Sequence, residues 1–515
     1  MPLLLLVTLI IACLPLDWPE SPMGGVRGSA LLTASVVVAL LVVARVFSLI
    51  TVYRVTAMPE ERVAVARAHS FRRLVFSLLN LGGLWFILLR CGWGWAAREM
   101  LPFRQSLTTD GEPPGRSVPW PGAELLVLLP YLVVMVGAWA AFYDAERALH
   151  RANPVSAGRR EYWTRWGYVA FLLRHQMLMV FLPVGLVIVQ LGLLRVYPPL
   201  ITEPWAKLVG FVGLAVFIVL VPSALPLLLG LKPMEPGPLR DRLETAATRL
   251  GVRYRQLYVW DTRGNMATAM VTGLIPRLRQ IVFTDLLLAS LNEDEIEAVF
   301  GHEVGHVRHG HLLYYAAFLL LSFLTLGAAY RAVELSEGVP WLHGDVTLVV
   351  SVLATFGYLF LVFGFVSRRC ERQADVFGCK AVSCVDPACG GHLADTPRVA
   401  RGRALCRTGV GTFIGALERV EAINGSTRGS DPEARRGPVG RAAVLLRFVG
   451  IWLSTWQHGT IAKRVEFLRT LDAAAERRFQ RRVTWMRWGL LLLLVAGVAG
   501  VALSNGGWQA ILEGM

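Results

Sequence analysis

Long apolar runs constrain the fold of this chain more than any other feature of its sequence. A helix crosses a hydrocarbon core with about 20 residues. Runs of about this length lie near residues 28–50, 74–90, 123–143, 167–193, 205–231, 312–330, 344–366 and 485–504. A shorter run at 2–16 fits either a cleaved signal segment or a first span, and its uncharged start favours the span. We therefore predict a predominantly helical, polytopic membrane protein with about eight or nine transmembrane helices.

The charge distribution predicts the orientation of the chain in the membrane. Lys and Arg number 52 against 37 Asp and Glu, and the excess is concentrated in alternate connections between the apolar runs. Positively charged connections remain in the cytoplasm, so we expect the large polar segments to be cytoplasmic, in a cell inner membrane. Nucleic acid is excluded as a partner, because no recognition motif or long basic helix accompanies the charge. The lipid bilayer is the expected partner, and the sequence leaves the oligomeric state open.

Spans and polar segments alternate in a way that predicts five parts. The parts are residues 1–231, 232–311, 312–366, 367–484 and 485–515. The first is an N-terminal membrane domain of several spans, the third is a transmembrane hairpin, and the last is a C-terminal span with a tail. The second and fourth parts are polar and are expected to assemble into one split α+β domain with a small β-sheet. Strand-like runs at Gln256–Trp260, Met266–Val271 and Gln280–Phe283 predict that sheet.

A capped helix after these strands carries the residues with the clearest chemistry. Asn292 and Glu295 have the spacing of a capping box, which predicts that a helix begins there. Inside the helix, His302 and His306 are four residues apart and therefore share one face, with Glu303 close to them. This His-Glu-x-x-His pattern predicts two zinc ligands and a general base.

A catalytic zinc site requires a third protein ligand and leaves one position for water. Glu371 is the best candidate because of its position relative to the apolar runs. It lies a short distance after the run 344–366, and the two histidines lie a similarly short distance before the run 312–330. Both motifs are therefore expected at a similar depth beside the membrane. Asp375 lies one helical turn beyond Glu371, where it is expected to accept the free ring N–H of a ligand histidine.

Taken together, these motifs resemble those of the HtpX-like and CAAX prenyl-protease-like membrane zinc endopeptidases, over residues 239–475. Asn265 to Ala269 resembles the edge strand that pairs with the substrate backbone in that family, which implies substrate-binding roles for Asn265 and Ala267. The late segment from His458 to Arg464 resembles the family's His-Pro-x-x-x-x-Arg element. The resemblance implies that His458 polarises the scissile carbonyl and that Arg464 is structural.

The sequence departs from the family pattern in three places. Gly459 replaces the usual proline, the spans before residue 231 exceed those of the HtpX-like branch, and residues 379–406 form a cysteine-rich insertion. The insertion is open to two interpretations. Cys384, Cys389, His392 and Cys406 either bind a second, structural zinc as three thiolates and an imidazole, or are ordinary groups of an irregular loop. His309 and His311 are expected to be interfacial or capping histidines without a metal role.

Three functions are consistent with these motifs. The first is a zinc-dependent endopeptidase that hydrolyses peptide bonds of membrane or membrane-associated proteins at the cytoplasmic face, in protein quality control. The second is a dedicated processing protease for a lipid-modified or precursor peptide. The third is a non-proteolytic membrane sensor or assembly factor with a peptidase-like fold. The intact set of His302, Glu303, His306 and Glu371 favours an enzyme, with protein or peptide substrates.

Overall fold

The computed structural model describes most of the chain and divides it into two compact units. The described residues are 2–14, 16–104, 117–152, 161–176, 180–198, 204–335, 345–392, 397–402, 404–424 and 456–503. The first unit comprises Met1–Gly210 and Glu337–Phe356, and the second comprises Phe211–Ser336 and Gly357–Met515. The five-part division expected from the sequence remains a prediction.

The first unit is helical around an apolar core. Its helices are Pro2–Cys13, Gly25–Ala57, Arg62–Arg90, Trp93–Glu99, Ala123–Ala152, Arg165–Gln176 and Leu182–Val196, with a short 3₁₀ turn at Pro59–Glu61. Pro102–Arg104 and Ser117–Pro119 pair as a two-stranded antiparallel ribbon. Leu84, Leu88 and Val127 are among its fully buried side chains. The helices Pro204–Leu229 and Asp345–Tyr358 each begin in this unit and end in the second.

Five helices among the described residues are long and apolar enough to cross a membrane. They are Gly25–Ala57, Ala64–Arg90, Ala123–Ala152, Val349–Ala381 and Ala474–Gly500. A sixth is added if Glu293–Arg308 and His311–Gly327, which meet at 45°, count as one broken span. The prediction of a mainly helical, multi-pass membrane protein is confirmed, whereas the number of eight or nine spans is not reached in the described part of the chain.

Two of the predicted apolar runs differ in extent from the helices that the structure describes. The run predicted at 167–193 forms two helices, Arg165–Gln176 and Leu182–Val196, and residues 177–179 between them lie outside the described part. The run at 2–16 forms a helix of 12 residues. Its rise of about 18 Å is short of a hydrocarbon core about 30 Å thick.

The second unit combines one small sheet with helices. Its helices are Pro238–Leu250, Asp285–Ser290, Glu293–Arg308, His311–Leu335, Gly364–Ala381, Arg407–Ile423, Ile461–Arg469 and Ala473–Leu503, with a π-helical segment at Leu359–Phe363 and a 3₁₀ turn at Ala400–Gly402. Its strands are Lys232–Pro233, Gln256–Trp260, Ala269–Thr272 and Gln280–Thr284. The predicted small sheet is present, although its third strand begins at Ala269 rather than at Met266.

The sheet places the strand Ala269–Thr272 at one edge. The strand order is Lys232–Pro233, Gln256–Trp260, Gln280–Thr284, Ala269–Thr272, and only the central pair is parallel. Apolar residues on the two central strands, such as Leu257 and Phe283, are buried against Leu243 and Phe300 of the neighbouring helices. The edge strand is therefore held by one neighbour and has its other side open to a ligand.

Two helices of the second unit pack closely and carry the predicted metal ligands. We call Glu293–Arg308 the motif helix and Gly364–Ala381 the carboxylate helix. Glycines of the motif helix make the close approach possible. A Cβ atom at Gly301 would lie 2.2 Å from the Cβ atom of Ala381, and one at Gly305 would lie 3.0 Å from the Cα atom of Ala374. Any side chain at these positions would push the two helices apart.

Candidate metal centre

The motif helix begins where the sequence predicts. The side-chain oxygen of Asn292 accepts the backbone N–H of Glu295 at 2.9 Å, and the carboxylate of Glu295 accepts the backbone N–H of Asn292 at 3.0 Å. The capping box is therefore confirmed. Its effect is to fix the phase of the helix, so that both histidines of the motif face the carboxylate helix.

Three side chains from the two helices bring ligand atoms together. The Nε2 atoms of His302 and His306 are 3.3 Å apart. The carboxylate oxygens of Glu371 lie 3.7 Å from His302 Nε2 and 3.6 Å from His306 Nε2. All three side chains are largely buried. The structure therefore places the three predicted ligands around one point.

These separations fit a tetrahedral metal ion. Bonds of 2.0 to 2.2 Å from nitrogen and oxygen to zinc, at tetrahedral angles, separate neighbouring ligand atoms by about 3.3 to 3.6 Å. Two imidazoles and one carboxylate are the donor set of several catalytic zinc sites, and they leave a fourth position for water. The residues present thus fit a catalytic metal ion in both their chemistry and their spacing.

Glu303 lies beside these ligands in a cleft of about 900 Å³. The same cleft is lined by the edge strand, and Glu303 accepts a hydrogen bond from the backbone N–H of Val271. Because Glu303 is one residue from His302, its side chain is directed towards the cleft instead of joining the three ligand atoms. It can therefore exchange a proton with a group bound next to the ion.

Asp375 and Arg464 support the first histidine. The Oδ1 atom of Asp375 lies 3.0 Å from His302 Nδ1, and Asp375 is completely buried. Arg464 binds the same carboxylate through two nitrogens, with Nε 2.8 Å from Oδ2. A carboxylate behind a ligand histidine orients the ring and holds its outer nitrogen protonated, so Nε2 is available to a metal.

The second histidine has a support that the sequence analysis missed. His311 is fully buried, and its Nδ1 atom lies 3.1 Å from Nδ1 of His306. Its Nε2 atom lies 3.1 Å from the side-chain oxygen of Gln373, and the amide nitrogen of Gln373 donates to Gln480 at 2.7 Å. The amide of Gln373 is thereby oriented to accept from His311 Nε2–H. His311 then accepts from His306 Nδ1–H, which leaves His306 Nε2 free for a metal.

The interfacial role expected for His311 is therefore wrong, because the ring is buried behind a ligand. His309 follows the last residue of the motif helix and is its C-cap, in agreement with a capping position. The sequence signal for His311 was its place at the start of the next helix, His311–Leu335.

His458 reaches the site from the loop before the helix Ile461–Arg469. Its Nδ1 atom lies 2.9 Å from an oxygen of Glu371, and its side chain is 61% exposed. The negative charge of Glu371 raises the pKa of His458. Gly459 has a φ of 74°. A proline, whose ring fixes φ near −65°, could not adopt this conformation, so the loop differs locally from the family pattern at the position where the sequence departs from it.

The two residues expected to bind substrate lie just before the edge strand. Asn265 is exposed and lines the cleft. Ala267 is buried, and the side chain of Asn424 satisfies both of its backbone groups, at 2.9 and 2.8 Å. No sequence pattern pointed to Asn424, which is 157 residues away from Ala267.

The hydrogen-bond pattern of the sheet shows which further residues have main-chain groups at its open edge. Thr268 hydrogen-bonds across to Thr284, so the main-chain groups of Ala269 and Val271 point away from the sheet. The described main chain therefore presents Ala269 and the carbonyl of Val271 at the side of the cleft, whereas both backbone groups of Ala267 are occupied by Asn424.

The cysteine-rich insertion also gathers its polar side chains. Cys384, Cys389, His392 and Cys406 each place one ligand atom within 4.8 Å of the others. We call these four residues the thiol cluster. All seven cysteines of the chain are free, so the cluster contains no disulfide.

Comparison with known proteins identifies the segment that holds both helices. Residues 233–390 match a family model described as peptidase family M48. A CAAX prenyl protease 1 homolog of Arabidopsis thaliana is 28% identical over 280 residues, which cover 50% of this chain and 64% of that protein. A protease HtpX homolog of Thermoplasma acidophilum is 32% identical over 149 residues, which cover 28% and 46%. This chain thus spans less than two thirds of the length of either relative.

A solved structure supports the fold. The crystal structure of S. mikatae Ste24p matches 88% of this chain and 100% of its own length, with a TM-score of 0.50 and 17% sequence identity. At this identity the likeness concerns the fold alone. The family match, by contrast, is a match of sequence. The matched residues include the motif helix and the carboxylate helix. Residues 233–390 therefore match peptidase family M48, and the resemblance inferred from the motifs is confirmed.

Proposed function

We propose that this protein is a zinc-dependent endopeptidase that hydrolyses peptide bonds of membrane or membrane-associated proteins. One observation carries the proposal: His302, His306 and Glu371 each place one ligand atom within 4.8 Å of the others, and the two Nε2 atoms are 3.3 Å apart. Glu303 stands beside them in the cleft. This arrangement suits an ion with one open position and a nearby base, which is the requirement for metal-assisted hydrolysis.

The chemistry divides between the ion and the protein. A zinc ion held by these three ligands would lower the pKa of a water towards about 7 and would polarise a peptide carbonyl. Glu303 is placed to accept a proton as general base at the cleft and later to deliver it to the departing amine. Asp375 and His311 hold the two ligand imidazoles in the tautomer that exposes Nε2.

His458 and the edge strand bind the substrate around the scissile bond. His458, which reaches the ligand group from outside the two helices, donates a hydrogen bond to the carbonyl oxygen as negative charge develops there. The main chain of Asn265, Ala269 and Val271 lies along the cleft. An extended peptide that adds to this edge is held mainly by backbone hydrogen bonds, which gives broad sequence specificity.

The membrane location limits the range of proteins that can be substrates. The basic connections favour a cytoplasmic peptidase domain in a cell inner membrane, and the carboxylate helix is the continuation of a membrane-capable helix, Val349–Ala381. Substrates are therefore proteins in or on the same membrane. Broad specificity at such a location suits protein quality control.

A dedicated processing protease is the second candidate. The match to a CAAX prenyl protease 1 homolog extends over 280 residues, well beyond the segment that matches the peptidase family model. Mapping cleavage sites in membrane extracts separates the two candidates. Cuts at many unrelated sequences support quality control, whereas cuts confined to one lipid-modified or precursor peptide support processing.

The decisive experiment compares the wild-type chain with Glu303→Gln, purified in detergent, on an unfolded test protein. We expect the substitution to lower the cleavage rate by about 10²- to 10⁴-fold, the usual contribution of a general base, with metal content unchanged. Glu293→Gln is the matched control, because Glu293 is exposed in the first turn of the same helix. Equal cleavage by Glu303→Gln, or cleavage that resists a chelator, would refute the proposal and favour a non-proteolytic sensor.

A further inference from the structure

The thiol cluster has the composition and spacing of a closed metal site. His392 Nε2 lies 3.5 Å from Cys389 Sγ and 3.3 Å from Cys406 Sγ, and Cys384 completes the group within 4.8 Å. Bonds of about 2.3 Å to sulfur and 2.0 Å to nitrogen, at tetrahedral angles, separate sulfur from nitrogen by about 3.5 Å. Three thiolates and one imidazole fill all four positions of a structural zinc site.

The surroundings of the cluster are those that a metal–thiolate site requires. Cys384 and Cys406 are buried, and Cys406 Sγ accepts the backbone N–H of Gly409 at 3.2 Å. Cys406 is also the N-cap of the helix Arg407–Ile423. The partial positive charge of a helix N-terminus stabilises a thiolate.

The charge of the site is balanced by a neighbouring guanidinium. One zinc ion with three thiolates has a net charge of −1. Arg398 contacts His392 Nδ1 and also donates to the carbonyl of Val382 at 2.9 Å and to Asp294 at 3.0 Å. When Nε2 of His392 binds a metal, Nδ1 carries the ring proton and can no longer accept from Arg398, whose guanidinium then keeps only the Val382 carbonyl and Asp294 as acceptors.

The position of the cluster indicates what the metal would stabilise. Cys384 follows the end of the carboxylate helix at Ala381, and Cys406 precedes Arg407–Ile423. The described part of the connection between these helices contains only a 3₁₀ turn, Ala400–Gly402. Long connections without regular structure are uncommon in compact domains unless something else orders them. The helix Arg407–Ile423 carries Phe413, whose ring stacks on His302 with a centroid distance of 5.8 Å.

We infer that Cys384, Cys389, His392 and Cys406 bind a second zinc ion with a structural role. The ion closes the insertion, joins the end of the carboxylate helix to the start of Arg407–Ile423, and so keeps Phe413 against His302. This site contains no residue of the catalytic set, and the inference does not depend on the proposed peptidase activity.

Metal analysis of the full-length chain in detergent tests the inference. We expect two zinc ions per chain in the wild type, one in Cys384→Ser/Cys406→Ser, and one in His302→Ala/His306→Ala. Cys91→Ser, a buried cysteine of the first unit, should retain two. The wild type could instead contain one zinc ion. If only the cysteine variant loses that ion, the result would support the thiol site and contradict the catalytic site. One zinc that only the histidine variant loses, or equal metal in the cysteine variant and the wild type, would overturn the inference.

Cobalt substitution gives a second readout that does not require the cysteine variant to fold. In His302→Ala/His306→Ala loaded with Co²⁺, the thiol cluster should produce a thiolate-to-cobalt charge-transfer absorption and the visible bands of a tetrahedral ion. The catalytic set has no thiolate and cannot produce the charge-transfer band. Its absence in this variant would overturn the inference.

Discussion

At the scale of single residues, the candidate site depends on how each ligand histidine is oriented. His302 has Asp375 and Arg464 behind it, whereas His306 has His311, Gln373 and Gln480. The first support is a carboxylate, and the second is a chain of neutral groups. Each support favours the tautomer in which the ring's Nε2 atom is available to a metal.

The neutral chain behind His306 can be tested by substitution. His311→Ala should weaken zinc affinity by about 10- to 100-fold, the usual effect of losing a group that orients a ligand. Competition with a fluorescent chelator measures this affinity. His309→Ala is the matched control, because His309 is adjacent in sequence and does not contact a ligand in the described structure. Equal affinities in the two variants would contradict a supporting role for His311.

The contact between His458 and Glu371 makes zinc affinity depend on pH. Glu371 raises the pKa of His458 above its ordinary value of 6.5. Protonated His458 competes with the metal for the carboxylate, so zinc affinity should rise with pH until the raised pKa is passed. Below that pKa, the zinc affinity of the wild type should rise by up to tenfold more per pH unit than that of His458→Gln, because zinc binding to the wild type releases one more proton. Zinc titrations at several pH values measure both slopes, and parallel profiles would contradict the competition.

The same His458 pairing changes the stability of the metal-free protein with pH. Because the folded pKa is raised, the ion pair contributes its full stabilisation below pH 6.5, and this contribution is lost as pH rises through the raised pKa.

The residues of the site differ in how far the sequence could predict them. His302, Glu303 and His306 lie within one helical turn, so their spacing alone determined a shared face. Glu371 required the additional argument that two motifs beside adjacent apolar runs lie at one depth. Asn424 and Gln373 contact the site through folding over 157 and 62 residues. No local pattern marks such contacts, and they could not be predicted.

At the scale of secondary structure, the close packing of the motif helix on the carboxylate helix aligns the ligands. The packing depends on Gly301 and Gly305, which face Ala381 and Ala374. The spacing of histidines predicted the helix itself, but the role of these glycines appears only when the partner helix is known. Similarly, the sequence predicted a first helix at 2–16, whereas its insufficient length for a span became clear from its end at Cys13.

Enlarging Gly301 should separate the two helices. In Gly301→Ala the new methyl group would meet the Cβ of Ala381 at 2.2 Å, and such overpacking costs about 1 to 3 kcal/mol. The thermal unfolding midpoint and the zinc affinity should both fall. Gly411→Ala is the control, because a Cβ at Gly411 meets no atom within 4 Å and lies within the helix Arg407–Ile423. An unchanged midpoint in Gly301→Ala would contradict the packing argument.

At the scale of the whole molecule, the chain combines membrane-capable helices with a segment that matches peptidase family M48. The match at 233–390 ends before His458 and Arg464, which nevertheless lie at the ligand group. Composition and apolar runs were sufficient to predict a multi-pass membrane protein. The described residues contain five or six membrane-capable helices, and the eight or nine spans expected for the whole chain stay a prediction.

The orientation proposed from the basic connections predicts which surfaces are accessible. A single cysteine introduced at Arg277, which is exposed in the second unit, should react with a membrane-impermeant maleimide only after the membrane is permeabilised. One introduced at Met23, which is 60% exposed in the connection expected on the opposite side, should react in intact cells. Labelling of each variant relative to the unsubstituted chain measures this. The reverse pattern would place the peptidase domain on the outer side.

The continuous helix Val349–Ala381 has a geometric consequence for substrate selection. Glu371 follows Val366, the last residue of the predicted span, by five residues, which corresponds to a rise of about 7.5 Å. Under the proposed function, the length of this helix would set the height of the scissile bond above the predicted lipid boundary. A substrate would then have to expose an extended stretch within that narrow layer, and a compact protein whose loops remain farther out in the water would be spared.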